Sequence, residues 1–182
     1  MLQTVCVYCG ASTRVSPRYL EAAQQVGTAL GEVGLSVVYG GGRQGLMVAV
    51  ADAALVAGGK VIGIIPQHLQ DREVRHDDLT ELHIVASMHE RKQLMVMKSD
   101  AFVILPGGYG TLDEAFEILT WKQLGLHNKP ILFVNIDGFW SPLNDFKKKL
   151  SEENFIKPED LDLFSFVETP EDLVPMLKTL LA

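Results

Sequence analysis

The sequence predicts an α/β fold, a doubly wound, mainly parallel sheet with helices on both faces. Two observations carry this. Short β-rich runs alternate with amphipathic stretches from one end of the chain to the other, and several of those runs are apolar throughout instead of alternating, as parallel strands covered on both sides must be. Such a sheet is Rossmann-like, and it places ligands outside the carboxyl ends of its strands.

The strand candidates are residues 5–8, 35–39, 60–65, 83–85, 101–105 and 131–134, with a further short run at 163–167 before a final helix. Pro17 after Ser16, Pro142 after Ser141 and Pro170 after Thr169 each put proline at the first position of a helix, behind a capping side chain. The polar stretch 66–80, with Asp71, Arg72, Glu73, Arg75, His76, Asp77 and Asp78, lacks a period and reads as a long loop over the site. Neither a linker nor a repeat interrupts the 182 residues, so a single nucleotide-binding domain over 1–182 is expected.

Composition narrows the class. Hydrophobic residues at 47% and charged residues at 21% are globular values, and no uncharged apolar run reaches membrane-spanning length. The amino-terminal residues have no basic region ahead of an apolar stretch, so a soluble, cytoplasmic protein that does not engage membranes is expected. A net charge of −7 argues against binding a nucleic acid polymer, which needs an excess of Lys and Arg. Any phosphate site must be local. Cys6 and Cys9 form a Cys-x-x-Cys on a strand running into a turn, whereas the redox version needs its first thiol at a helix N-terminus, so they read as core thiols. No metal is expected: zinc lacks further ligands at finger spacing, and His89-Glu90 is followed by Gln93 where a zinc-protease helix carries its second His.

Three glycine-rich turns follow strands: Cys9-Gly10-Ala11-Ser12, Gly40-Gly41-Gly42-Arg43-Gln44-Gly45, and Pro106-Gly107-Gly108-Tyr109-Gly110-Thr111. Glycine lets a ligand approach the backbone, and the first N–H groups of the next helix attract anions, so a phosphate suits these turns. Gly40, Gly42 and Gly45 match the dinucleotide spacing but follow the second strand, and the third turn lacks the Gly-Lys-Ser/Thr ending of a triphosphate loop. Any one turn is equally explained as a tight connection; three facing one crevice point to a ligand.

Ser87-Met88-His89-Glu90 fits a capping box whose helix carries Met88, Arg91 and Lys92 in its first turns. Cations there oppose the helix dipole, a conflict that a bound anion or a pairing with surface acids would relieve. Thr111-Leu112-Asp113-Glu114 is also a capping box, so Glu114 has two readings: it satisfies the N–H of Thr111, or it faces the crevice and meets the ribose of a bound nucleotide. In the second reading a carboxylate stabilises the oxocarbenium-like transition state of base–ribose cleavage and orients water. Arg91, always cationic, suits positioning and electrostatic duty.

Met88-His89-Glu90-Arg91-Lys92 and Pro106 to Glu114 together resemble the paired signature of the Lonely Guy family, cytokinin riboside 5′-monophosphate phosphoribohydrolases, whose glycine motif Pro-Gly-Gly-x-Gly-Thr-x-x-Glu is matched at every fixed position. The likeness runs from the Cys9 turn through Thr120-Trp121 to about Phe155. It implies that Arg91 and Glu114 are the catalytic pair, with nucleotide contacts from Glu73, Met88, Lys92, Gly107, Gly108, Tyr109, Gly110, Thr111 and Thr120, and with Ser12, Gly41 and Gly42 as further neighbours. It also implies release of free base and ribose 5-phosphate from AMP or an N6-prenylated AMP, no metal or organic cofactor, and a homodimer with helices near the site in its interface. Gln44 and Val48 stand where the family's second turn, Gly-Gly-Gly-x-x-Gly-Leu-Met-Gly, is expected to carry smaller residues. Members have been labelled lysine decarboxylases, but the Schiff-base lysine and supporting groups of pyridoxal chemistry are not discernible in the sequence. The rival to an enzyme is a nucleotide carrier or sensor with the same cradle and no turnover; a pure interaction module has no basic stripe, zipper or repeat to rest on.

Overall fold

The structure is a computed structural model that describes residues 3–70 and 75–180. Its strands are β1 (Thr4–Tyr8), β2 (Ser36–Tyr39), β3 (Val61–Pro66), β4 (Glu81–Val85), β5 (Ala101–Ile104), β6 (Ile131–Val134) and β7 (Ser165–Val167). Its helices are α1 (Pro17–Glu32), α2 (Gly45–Val56), α3 (Met88–Met97), α4 (Tyr109–Gln123), α5 (Ser141–Glu152) and α6 (Leu173–Leu180). Among the described residues no helix is long and apolar enough to cross a membrane.

The strands form one sheet in the order β4-β3-β2-β1-β5-β6-β7, and every pairing is parallel. Strand residues alternate between two cores. Val5, Val7, Val37, Tyr39, Val103 and Leu132 point to α1, α2 and α6, where Val26, Leu30, Val50 and Leu173 cover them. Cys6, Tyr8, Val38, Ile64, Phe102 and Phe133 point the other way, to Met95 of α3 and Ala115 and Ile118 of α4. Burial on both faces is why these runs are apolar without alternation.

β1 lies between β2 and β5, so the chain winds outward one way through β4 and then returns to start again beside β1. Asp100 makes that return fast to the chain's start: its carboxylate accepts the N–H groups of Gln3 at 2.9 Å and Thr4 at 3.0 Å. The crevice at the β1–β5 switch point is where this topology puts ligands.

Some helix starts differ from expectation. Pro17 does open α1, but Ser16 gives no side-chain cap. α5 begins at Ser141, one residue before Pro142, with Trp140 at the cap, because Asn135 Oδ1 accepts the N–H of Trp140 at 2.7 Å and turns the chain there. Pro170 opens a 3-10 turn that runs straight into α6, and Thr169 there donates its hydroxyl to Asp172 at 2.9 Å instead of accepting a backbone N–H. After β3, a 3-10 turn at Gln67–Leu69 begins the segment read as a loop; its far end returns to β2's turn, where Arg75 bridges to Gly42.

Candidate active site

The turns after β1 and β5 meet at the switch point: Gly10 N–H donates to the Pro106 carbonyl at 3.0 Å, and Leu46 N–H at the start of α2 donates to the Gly10 carbonyl at 3.0 Å. Outside them lies a cavity of about 410 Å³, within the size range of small-molecule sites.

The β5 turn shapes its floor. At Gly107 a β-carbon would collide with the side chain of Thr111, while the sites of β-carbons at Gly108 and Gly110 are open. Gly108 is extended and caps α4, whose first residue is Tyr109. Thr111 is therefore inside the helix, not at its cap, and the capping-box reading of Thr111 and Glu114 is overturned. The glycine at 108 stops the extended segment early enough for the helix to begin before Thr111. Glu114 then falls in the second turn of α4, half-buried, on the cavity wall.

Arg91 comes from α3. Ser87 caps that helix by accepting the N–H of Glu90 at 3.1 Å, while the Glu90 carboxylate takes the N–H of Ala86 at 2.8 Å, one residue before the reciprocal partner of an ideal capping box. Arg91 is 4% exposed; Nη2 donates to the Gly40 carbonyl at 2.9 Å and Nη1 lies 3.8 Å from Met88 Sδ. A β-carbon on residue 40 would sit within the guanidinium and 2.7 Å from Met47 Cε. Glycine at the end of β2 is what admits the arginine.

Lys92, its neighbour, points to α4, where Nζ pairs with Asp113 and Glu117, each at 3.0 Å. Burial works against the ammonium, but its hydrogen bonds to both carboxylates and their charges prevail and raise its pKa. The protein's own acids thus settle the lysine's conflict with the helix dipole. Cys6 and Cys9 are free and buried. Burial first, then the negative charge of Glu114, pushes both thiols well above the usual range, which keeps them protonated.

The cavity gathers Ser12, Met88, Arg91, Gly107, Gly108, Gly110, Thr111 and Glu114. Gly41, Gly42 and Lys92 are not on its wall: Gly41 accepts the N–H of His76 at 3.1 Å and Gly42 bridges to Arg75. Tyr109 and Thr120 lie instead on an outer groove of α4 with Leu112, Phe116 and Trp121. Glu73 lies outside the described residues. Sequence reasoning passed over the apolar part of the wall, formed by Val15, Tyr19, Met47, Leu69 and Phe139. Phe139 follows β6 directly enough that its position beyond a strand end was a usable signal; Leu69 and Tyr19 gave none, since each reaches the cavity only through the path of its loop or helix.

The profile of the family described as "Possible lysine decarboxylase" matches residues 47–177. Among curated proteins, the chain is 43% identical over 174 residues to "Cytokinin riboside 5′-monophosphate phosphoribohydrolase LOG3" of Arabidopsis thaliana, covering 96% of this chain and 81% of that protein. It is 42% identical over 174 residues to the LOG protein of the same description from Oryza sativa subsp. japonica, covering 96% and 72%. In fold it is similar to the molybdenum cofactor carrier protein of Chlamydomonas reinhardtii, with a TM-score of 0.77, 19% identity and coverage of 100% and 99%. The molybdenum cofactor binding protein of Rippkaea orientalis gives 0.73, 22%, 100% and 99%. The profile match and the identity to the curated relatives agree, and the chain belongs to the LOG family of cytokinin riboside 5′-monophosphate phosphoribohydrolases.

Proposed function

We propose that the protein hydrolyses the N-glycosidic bond of a nucleoside 5′-monophosphate, AMP or an N6-modified AMP such as isopentenyladenosine monophosphate, to free base and ribose 5-phosphate. With a prenylated substrate this releases the active cytokinin base. The observation that carries the reading is that Arg91 of α3 and Glu114 of α4 share one cavity wall with the open glycine turn that starts α4. The first N–H groups of α4 and the Thr111 hydroxyl suit the phosphate, which leaves the ribose one helical turn away, beside Glu114. The apolar wall suits a base.

In this reading the C1′–N bond breaks with its electron pair going to the base, water adds to C1′, and the proton that the water gives up ends on the departing base. The Glu114 carboxylate stabilises the cationic sugar and orients the water. Arg91, anchored on Gly40, positions the substrate and the carboxylate. Ser12, Met88, Gly107, Gly108, Gly110 and Thr111, which line the cavity, bind substrate. Decarboxylation through a Schiff base has less support: among the described residues no lysine lines the cavity, and Lys92 is held charged by two carboxylates, which makes it a poor nucleophile.

A homodimer is part of this proposal, supported by the outer face of α4, where Tyr109 is 93% and Phe116 42% exposed. A cytoplasmic setting accords with two free thiols. The test is incubation with AMP and with isopentenyladenosine monophosphate, followed by chromatographic resolution of free base. Both bases are expected; tight binding with no base released would transfer the protein to the carrier or sensor class.

A further inference from the structure

Among the described residues between β3 and β4, His76 is a buried tie point. His76 is 1% exposed, and its ring bonds on both sides. Nδ1 lies 3.3 Å from the backbone nitrogen of Asp78; a backbone N–H can only donate, so Nδ1 accepts and the ring proton sits on Nε2. Nε2 is 2.8 Å from Asp52 Oδ1 on α2 and donates to it.

The same residue holds the second glycine turn. His76 N–H donates to the Gly41 carbonyl at 3.1 Å, Arg75 bridges to Gly42, and the preceding carbonyl, that of Gly40, is the acceptor for Arg91 Nη2. Gly41 has φ +76, and a β-carbon there would press on the backbone of Ile64 and the side chain of Ile65, so the turn has little room to find another arrangement. At the segment's other end Leu69 lines the cavity.

We infer that His76 and Asp52 are a positioning pair for the active site: their hydrogen bond seats His76, whose N–H fixes the Gly41–Gly42 peptide, the neighbour of the Gly40 carbonyl that anchors Arg91. Neither side chain lines the cavity; both act through the backbone. The inference rests on the nucleotide-site reading above, and it adds that the site's affinity depends on a bond made on the far side of the β2 turn.

Asp52 offers the clean test, because its side chain is 55% exposed and its removal opens no core cavity. Asp52→Ala strands the buried Nε2–H, whereas Asp52→Asn keeps a side-chain oxygen to accept it. AMP binding by calorimetry and base release are measured for wild type and both variants. The expectation is that Asp52→Ala weakens AMP binding and raises KM about tenfold, the scale of one lost buried hydrogen bond, with a smaller change in kcat, and that Asp52→Asn restores both. Unchanged AMP binding in Asp52→Ala with only a lowered Tm overturns the inference, as does an Asp52→Asn variant as weak as Asp52→Ala. A wild type that binds AMP without releasing base defeats the hydrolase reading alone, and the binding comparison still decides the positioning role. A wild type that does not bind AMP overturns both.

Discussion

Glu114 carries the greatest chemical weight in the site, and its place in the second turn of α4 separates chemistry from stability. Since Gly108, not Thr111, stands at the N-cap position of α4, Glu114 is not the capping-box partner of a helix end at Thr111. Glu114→Gln should therefore retain a near-wild-type Tm while kcat for base release falls by about 10²-fold or more; a large loss of Tm alongside the activity would show that the carboxylate is structural. Lys92 gives the complementary case, a residue whose charge works for stability. Its folded pKa is raised by Asp113 and Glu117, so the stabilisation is complete below the unfolded lysine value of about 10.4 and is lost as pH rises through the folded value. The Tm difference between wild type and Lys92→Met should be constant near neutrality and shrink toward strongly alkaline pH, as followed by circular dichroism across that range.

At the scale of elements, the site depends on where turns end. Gly40 closes β2 at the one spot where the Arg91 guanidinium passes over the backbone. Gly40→Ala forces the arginine or Met47 aside, and is expected to cost about 1–3 kcal/mol in urea unfolding, the usual penalty of overpacking. Base release should fall further than the stability loss explains, because Arg91 loses its anchor. The strands were legible in the sequence because burial on both faces demands unbroken apolar runs, and their ends were placed to within a residue or two. The start of α4 was not. Thr111 and Glu114 have the spacing of a capping box, and nothing in a local pattern tells it that Gly108 has already taken the cap. Likewise, Ser141 and Pro142 look like a cap and first turn, yet the hydrogen bond from the Trp140 N–H to the side chain of Asn135, five residues earlier, decides the boundary.

For the molecule as a whole, the catalytic candidates were legible because two separate motifs pointed to one crevice, while most of the apolar wall was not, since Tyr19 and Leu69 reach it only once the sheet order is set. The outer face of α4 belongs to this scale too. With Tyr109, Phe116, Leu124 and Leu126 exposed, light scattering is expected to give about twice the 20.1 kDa chain mass, and Phe116→Glu to shift it toward one copy. A mass of one chain for the wild type would remove the dimer.

The sheet order has a kinetic consequence as well. β1 acquires its β5 neighbour only after about half the chain has been made, and the Asp100 carboxylate then closes a link across 97 residues to Gln3. Until that moment a hydrophobic strand that ends up central has one edge unpaired and open to other chains. Parallel pairings at such separation are slow to form, so refolding should be limited by the docking of β5, and the cavity, built on both sides of that seam, is among the last features to appear. Nascent or refolding chains are most vulnerable to aggregation in the interval before the switch point exists, and a nucleotide that binds there can speed nothing until the seam has closed.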